Sequence, residues 1–477
     1  MLTREEFQIL YDQGPDALYA LFVKMQEQID ALTARVQELE DRLGKDSHNS
    51  SKPPSSDAFG KKPVSLRPKS TRKPGGQAGH PGRRLEFSER PDQIVLHAPA
   101  HCQECATCLE AVEGSIDARR QVVDLPPLSL VVTEHRTEHK TCPTCGLVNR
   151  GIFPQEVRAQ VQYGSRVKAL GIYLLDYQLL PYQRIAGLFA DLFDAPLSPG
   201  MLVEAQQEAS TQLKAVVTRI QGALQKAVVA HFDETGFRVC GRLHWLQVAS
   251  TPRLSYYAWH QKRGKIGMDQ AGVLPSFSGR AVHDGYASYQ RYGCRHALCN
   301  AHHLRELTAL FEQQGALWAE EMRLLLLQIK QAVDHAKEYG RNRLPSGQVR
   351  RFEERYQTLL CQGLADHPVT LSLPRKRGRP KQSVARNLLD RLDRHRDQVL
   401  AFLYDFAVPF DNNQAERDLR MMKVQQKISG TFRSTEGADA FCRLRSYLGT
   451  LHKQGKNLLS ALEHVFRGNP LEPDYIG

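Results

Sequence analysis

Three acidic residues stand where carboxylates could bind a divalent cation. Asp233 lies in a strand-like run, HFDETG, and Asp284 ends another such run in HDGY. Glu416 falls one turn into a helix predicted to begin near Asp411 and Asn412. Three converging carboxylates would repel one another and raise their pKa values unless a cation neutralised them, and Mg²⁺ accepts carboxylate oxygens. The pattern therefore predicts a Mg²⁺ site suited to phosphoryl transfer.

A small sheet must position these residues. Four runs of β-forming residues are predicted strands, at 228–239, 242–250, 254–262 and 279–283. The first and fourth can pair in a mixed sheet, which would bring Asp233 and Asp284 together. Glu416 and Leu419 share a helix face, so a helix that seats Leu419 on the sheet aims Glu416 at its edge. Glu234 and Asp411 are competing carboxylates, and a turn or cap role is the alternative for each acid.

Two Cys-x2-Cys pairs predict a second metal site. Four thiolates complete a tetrahedral zinc site with no open position, so zinc would be structural here. The segment 119–142 alternates like the strand pair of a zinc ribbon. The expected ligands are Cys102, Cys105, Cys142 and Cys145. Free buried cysteines are the alternative, and a different ligand set could include Cys108, His97, His101 or His139.

Basic residues cluster in segments that lack core-forming residues. Positions 59–84 hold eight Lys or Arg and no acid, which predicts a flexible arm that contacts DNA phosphates or a solvated linker. Pro374–Lys381 contains Arg-Gly-Arg-Pro, which could enter a minor groove or be a generic basic loop. The candidate DNA-binding residues, including two beside Glu416, are Arg72, Lys73, Arg83, Arg84, Arg377, Arg379, Arg417 and Arg420.

The N-terminal region has a heptad pattern. Apolar residues recur at alternating spacings of three and four between Phe22 and Leu43. This favours a coiled coil that pairs two chains, although an amphipathic helix packed on its own protein has the same pattern. Near the second aspartate, a helix predicted to open with His296, Cys299, His302 and His303 is either a packed support or a further metal site.

Composition limits the classes of protein that fit. The chain has 477 residues and a net charge of +12, with 41% apolar and 24% charged residues. These values exclude a mini-protein, a largely disordered chain and a fibrous chain. Apolar runs are too short to span a bilayer, and Arg4 and Glu5 stand where a signal peptide would be apolar. We therefore expect a cytoplasmic protein with a polyanionic partner.

Five motifs together resemble the transposases of the insertion-sequence-66 family. They are GGQAGHPG, HFDETG around Asp233, HDGYASY around Asp284, CNAH at Cys299–His302 and DNNQAERDLR around Glu416. The resemblance implies an RNase H-like catalytic core with Asp233, Asp284 and Glu416 as its metal-binding triad, using Mg²⁺ or Mn²⁺. It also implies that Cys299 and His302 lie behind these carboxylates. The extra Cys108 departs from the family pattern.

The function expected from this resemblance is that of a bacterial, nucleoid-associated transposase. It would bind the inverted ends of its element as a homodimer on double-stranded DNA, cut and join strands, and in some cases use accessory proteins. A structure-selective nuclease and an inactive DNA-binding repressor are the alternatives.

The expected architecture is a multidomain α/β chain, in which an all-helical insertion interrupts the core. Its segments are a coiled coil (1–45), a basic linker (46–90), a zinc-ribbon-like domain (91–155), a helical DNA-binding or linking region (156–226), the first part of the core (227–311), the insertion (312–405), the last part of the core with Glu416 (406–450) and a C-terminal segment (451–477).

Overall fold

The computed structural model describes residues 4–43, 49–50, 85–369 and 382–476. It begins with two helices, α1 (Arg4–Asp12) and α2 (Pro15–Leu43). Helix α2 contains the whole heptad pattern, and all seven of its apolar seam residues are 42–85% exposed. No described helix has the length and apolar character needed to cross a bilayer.

The cysteine-rich region has little regular structure. Its one described sheet pairs β1 (His139–Thr141) with β2 (Val148–Arg150) in antiparallel register, on either side of the second Cys-x2-Cys. The strand pair predicted between the two knuckles is wrong, because residues 119–138 form no strand. Their apolar side chains are exposed, Val122 by 91% and Val131 by 89%, so alternation here does not reflect a buried face.

A helical layer follows within the segment 156–226, where the sequence predicts helices. It consists of α3 (Ser165–Ile172), a π-helical turn (Tyr173–Tyr177), α4 (Tyr182–Phe193), α5 (Pro199–Gln212) and α6 (Lys214–Gln225). Helix α5 begins at Pro199, because the Ser198 hydroxyl accepts the Met201 N–H at 3.1 Å and proline is favoured at the first helical position.

A five-stranded mixed sheet forms the centre of the protein. The first three strands are antiparallel: β3 (Val229–Val239), β4 (Arg242–Ser250) and β5 (Ser255–His260). Cys240 and Gly241 join β3 to β4 with φ values of +49° and +76°, as a tight hairpin turn requires. After α7 (Lys265–Ala271), β6 (Arg280–His283) returns parallel to β3, which confirms the predicted pairing.

The fifth strand was missed by the sequence analysis. β7 (Arg295–Leu298) runs parallel to β6, so the sheet order is β5-β4-β3-β6-β7, which is consistent with an RNase H-like core. His296 therefore lies on a strand, and α8 (Asn300–Gln314) begins only after Cys299. Four residues of β7, three of them buried, are too few to show a period.

Helices fill the described part of the predicted insertion, 312–405. They are α9 (Leu317–Glu338), α10 (Ser346–Asp366), α11 (Val384–Arg394), α12 (Arg396–Val399) and α13 (Ala401–Tyr404). Their apolar faces share one core with Val282 of β6 and Leu298 of β7. The helical segment is thus packed directly on one edge of the sheet.

Three C-terminal helices complete the core: α14 (Asn413–Ser429), α15 (Thr435–Lys453) and α16 (Leu458–Phe466). One face of the sheet, with Phe237 and Val248, packs against Ala415 and Leu419 of α14. The opposite face, with Phe232, packs in a core that includes α6, α7 and α16. Helix α14 therefore defines the face of the sheet on which Glu416 lies.

Candidate active site

Asp233 lies on the central strand and on the face covered by α14. It is directly opposite Val248 in the β3–β4 register, and cross-strand partners share a face. Val248 packs with Ala415 and Leu419, so Asp233 is on their side of the sheet. Its Oδ1 accepts the backbone N–H of Glu234 at 2.8 Å.

Asp284 follows β6 immediately and is adjacent to Asp233. His231 pairs with Val282 in the parallel β3–β6 register, and each aspartate lies two residues further along. Continued by two residues, this register would bring Asp284 beside Asp233, since paired strands lie about 4.8 Å apart. The Tyr286 N–H donates to Asp284 Oδ1 at 2.9 Å, and Gly285 between them has a φ of +90°. This tight turn fixes the carboxylate at the end of the strand.

Asn412 fixes Glu416, which lies one turn later, relative to the sheet. Asn412 is 1% exposed; its Nδ2 donates to the Phe232 carbonyl at 2.8 Å and its Oδ1 lies 2.8 Å from His231 Nδ1. Its backbone N–H donates to Cys299 Sγ at 3.1 Å. The helix begins near Asn412, as predicted, but the Asn412 side chain makes no capping hydrogen bond. Asp411 Oδ1 accepts the Asn413 N–H at 3.1 Å instead.

Asp233 is buried and lies within the electrostatic influence of the other two acids. Burial, followed by the charge of Asp284 and smaller contributions from Glu234 and Glu416, raises the pKa of Asp233 from 3.8 to about 8. Glu416 Oε1 is buried and has no hydrogen-bond partner. Among the described residues, no Lys or Arg forms an ion pair with any of the three acids. The site thus concentrates negative charge that the described side chains leave uncompensated.

This donor set fits divalent cations of the Mg²⁺ type. Carboxylate oxygens are hard ligands, and an orphaned buried oxygen such as Glu416 Oε1 is costly without a partner. The ligand oxygens of Asp233, Asp284 and Glu416 are not all within 4.8 Å of one another. Carboxylates spaced in this way would be shared between two such ions more readily than gathered on one.

The two competing carboxylates have other partners. Glu234 points to the opposite face of β3, where its oxygens accept from Arg263 Nε at 3.0 Å and from the Tyr289 hydroxyl at 2.6 Å. Its side chain is 3% exposed, and burial raises its pKa while these two bonds oppose the rise. The Asp411 carboxylate accepts a backbone hydrogen bond in the turn before α14.

A histidine pair supports the Asp284 turn, and the sequence analysis missed it. The Gly285 N–H donates to His283 Nδ1 at 3.0 Å, so the hydrogen of the neutral ring is on Nε2. That Nε2 donates to His296 Nδ1 at 3.0 Å, and His296 Nε2 donates to the Tyr292 carbonyl at 3.1 Å. Burial, with the nearby His296, lowers the pKa of His283 to about 3. Two signals were present in the sequence: His283 directly before Asp284, and His296, which was assigned to a helix rather than to a strand beside it.

The predicted zinc ligands form two matching knuckles. The Cys102 N–H donates to the Thr107 carbonyl at 2.9 Å, and the Cys142 N–H donates to the Leu147 carbonyl at 2.8 Å. In return, the carbonyls of Cys102 and Cys142 accept the N–H groups of the residues four positions later. Ala106 and Gly146 have the positive φ these turns need. Hydrogen bonds from Thr107 lower the pKa of Cys105 to about 7. No three of the four sulfurs are within 4.8 Å of one another, so in this described region the knuckles are not assembled.

The predicted DNA-binding residues are only partly described. Arg417 and Arg420 are exposed on α14, next to Glu416. The arm residues and the Arg-Gly-Arg-Pro residues lie outside the described residues; they are Arg72, Lys73, Arg83, Arg84, Arg377 and Arg379.

Comparison with known proteins gives two family matches. A protein-family profile described as "Transposase IS66 family" matches residues 160–440, which include every strand of the sheet and all three acids. A second profile, described as a family of unknown function, DUF6444, matches residues 2–86. No curated protein matches the chain.

Proposed function

This chain belongs to the IS66 family of transposases, and from that premise we propose that Asp233, Asp284 and Glu416 cut and join DNA at the ends of its own element. The supporting observation is the set of carboxylates on one face of the sheet. Asp284 and Glu416 contribute to the raised pKa of Asp233, and the three acids form no ion pair with Lys or Arg among the described residues. Mg²⁺ or Mn²⁺ would be the cation used.

The role of each acid follows from its position. Asp233, within β3, and Asp284, directly after β6, would hold the cations, and Glu416 would complete the site from α14. A divalent cation bound there would activate a water or a DNA 3′-hydroxyl and neutralise charge on the scissile phosphate. Binding of a divalent cation would favour the ionised form of Asp233, whose pKa is raised to about 8 by burial and, secondly, by the charge of Asp284. No covalent intermediate with the protein is needed.

DNA affinity would come from basic surfaces around this site. The net charge is +12, and Arg417 and Arg420 are exposed on the helix that carries Glu416. Phosphate contacts of this type hold the strand without reading its sequence. The basic arm and the Arg-Gly-Arg-Pro segment would add contacts with DNA. Because the arm is rich in Lys and Arg, the affinity for DNA should depend strongly on salt concentration.

We assign a structural zinc ion to Cys102, Cys105, Cys142 and Cys145. The knuckles at Cys102 and Cys142 have the same hydrogen bonds and the same positive φ, whereas no such turn begins at Cys105. This favours the proposed set over one with Cys108. Binding would require the two knuckles to approach, so zinc would order this region as well as occupy it.

The chain would act as a dimer through α2. Seven apolar seam residues are 42–85% exposed within the described chain, and such a seam is stable when it packs on a second helix. Two chains would then hold two DNA ends in one complex. Accessory proteins of the element are further candidate partners of this complex.

The test is a strand-transfer assay with two DNA duplexes, one ending in the inverted repeat of the element and one with that repeat scrambled. With Mg²⁺ and a target plasmid, we expect cleavage at the terminus and joining to the plasmid only for the first duplex. A structure-selective nuclease would cut both without joining, and a repressor would bind the first without cutting it. Either result would refute the proposal.

A further inference from the structure

Three side chains of different chemistry meet beside the proposed triad. Cys299 lies at the end of β7, His302 in the first turn of α8 and Glu416 in the first turn of α14. One ligand atom from each lies within 4.8 Å of the other two, and this is the one such set of three or more in the described part of the chain. The His302 Nδ1 to Glu416 Oε1 distance is 4.0 Å.

Each of the three is available as a ligand. His302 Nδ1 and Glu416 Oε1 are buried atoms that have no hydrogen-bond partner. Cys299 is 1% exposed and its sulfur accepts the Asn412 N–H, a bond that a metal-bound thiolate can retain. The His302 and Glu416 side chains are 19% and 24% exposed, so an ion can enter from one side.

The ligand types decide which ion fits. Thiolate and imidazole select Zn²⁺ and similar soft or borderline ions, whereas Mg²⁺ prefers oxygen alone. We infer that Cys299, His302 and Glu416 form a three-ligand site for Zn²⁺ that is separate from the cysteine knuckles. On binding, the cysteine thiol would release its proton to solvent.

This site shares one residue with the proposed active site. A Zn²⁺ ion held by Cys299 and His302 would engage Glu416 and withdraw it from the triad, which makes the site inhibitory. This consequence rests on the proposed function of Glu416, whereas the binding of Zn²⁺ does not. The two can therefore fail separately.

Zinc binding is measured on the full chain, stripped with a chelator and dialysed against buffered Zn²⁺. We expect wild type to bind one more ion per chain than Cys299→Ala or His302→Ala, since the knuckles contribute equally to all variants. Cys442→Ala is the control for loss of a buried thiol, because Cys442 is 4% exposed in a different core, and it should bind as wild type does. Equal zinc content in wild type, Cys299→Ala and His302→Ala would overturn the site.

Inhibition is measured as the ratio of DNA cleavage rates with and without Zn²⁺ at fixed Mg²⁺. Cys299→Ala should need at least ~10-fold more Zn²⁺ for the same inhibition, because losing even an outer partner of a metal ligand costs about 10- to 100-fold in affinity. If the extra Zn²⁺ binds but inhibits cleavage equally in wild type and Cys299→Ala, then Glu416 does not serve both the zinc site and the triad. If Asp233→Asn still cleaves, the triad is wrong, and the binding result stands on its own.

Discussion

Asn412→Ala should disconnect the helix of Glu416 from the sheet. The substitution removes two side-chain hydrogen bonds of 2.8 Å and leaves the Phe232 carbonyl and His231 Nδ1 without those partners at a position that is 1% exposed. Each buried group left unsatisfied costs about 1–3 kcal/mol. The free energy of unfolding should therefore fall by about 2–6 kcal/mol.

Urea unfolding followed by tryptophan fluorescence measures this loss, because Trp245 and Trp259 lie on the central sheet. Asn413→Ala is the matched control. The Asn413 side chain is partly exposed and makes no hydrogen bond in the described structure, so its loss should stay within about 0.5 kcal/mol. Cleavage by Asn412→Ala should also fall by about 10²-fold, because a shift of about 1 Å at a reacting group has that effect. If both variants unfold within 1 kcal/mol of each other, Asn412 does not fix α14.

Three further results are expected. The raised pKa of Asp233 means that the folded chain keeps a proton the unfolded chain has lost between pH 3.8 and about 8, so the free energy of unfolding should fall as pH rises through this window. In measurements of unfolding free energy against pH, Asp233→Asn should flatten that slope, and an unchanged slope would contradict the pKa argument. Mg²⁺ at about 100 times its Kd should add about 2.7 kcal/mol to the unfolding free energy of wild type and not to that of the variant. Native mass spectrometry should find the knuckle zinc lost in Cys142→Ser and kept in Cys108→Ser, and the reverse would exchange the ligand assignment. Light scattering should find Leu32→Lys monomeric and Thr33→Lys dimeric, because only Leu32 lies on the heptad seam, and a dimer in both cases would place the interface elsewhere.

Local sequence pattern was sufficient to predict the strands that carry the aspartates. β3 has a long alternating run and a tight turn at Cys240 and Gly241, so both its extent and its hairpin are encoded nearby. The face of Asp233 then follows from the period of two. The position of Leu419 on the sheet also followed from helical spacing, and the side chain is 5% exposed.

Features that depend on distant contacts were not predictable. Asn412 has the sequence of a helix cap, but its side chain turns inward because the Phe232 carbonyl, 180 residues away, needs a donor. His302 rather than His303 meets Cys299, since the start of α8 at Asn300 sets the rotation of the helix. His303 Nδ1 instead donates to Asn300 Oδ1 at 3.0 Å. Spacing alone gives no information on either outcome.

The most direct measurement is cleavage of element-end DNA with Mg²⁺ by wild type and by Asp233→Asn, Asp284→Asn and Glu416→Gln, with Asp411→Asn as the neighbouring carboxylate outside the triad. Each triad variant should lose about 10³-fold in rate, the equivalent of about 4 kcal/mol of transition-state stabilisation, while Asp411→Asn stays close to wild type. Cleavage at the wild-type rate by any one variant would contradict the assignment of that residue. If all three variants cleaved at the wild-type rate, this would not be the active site.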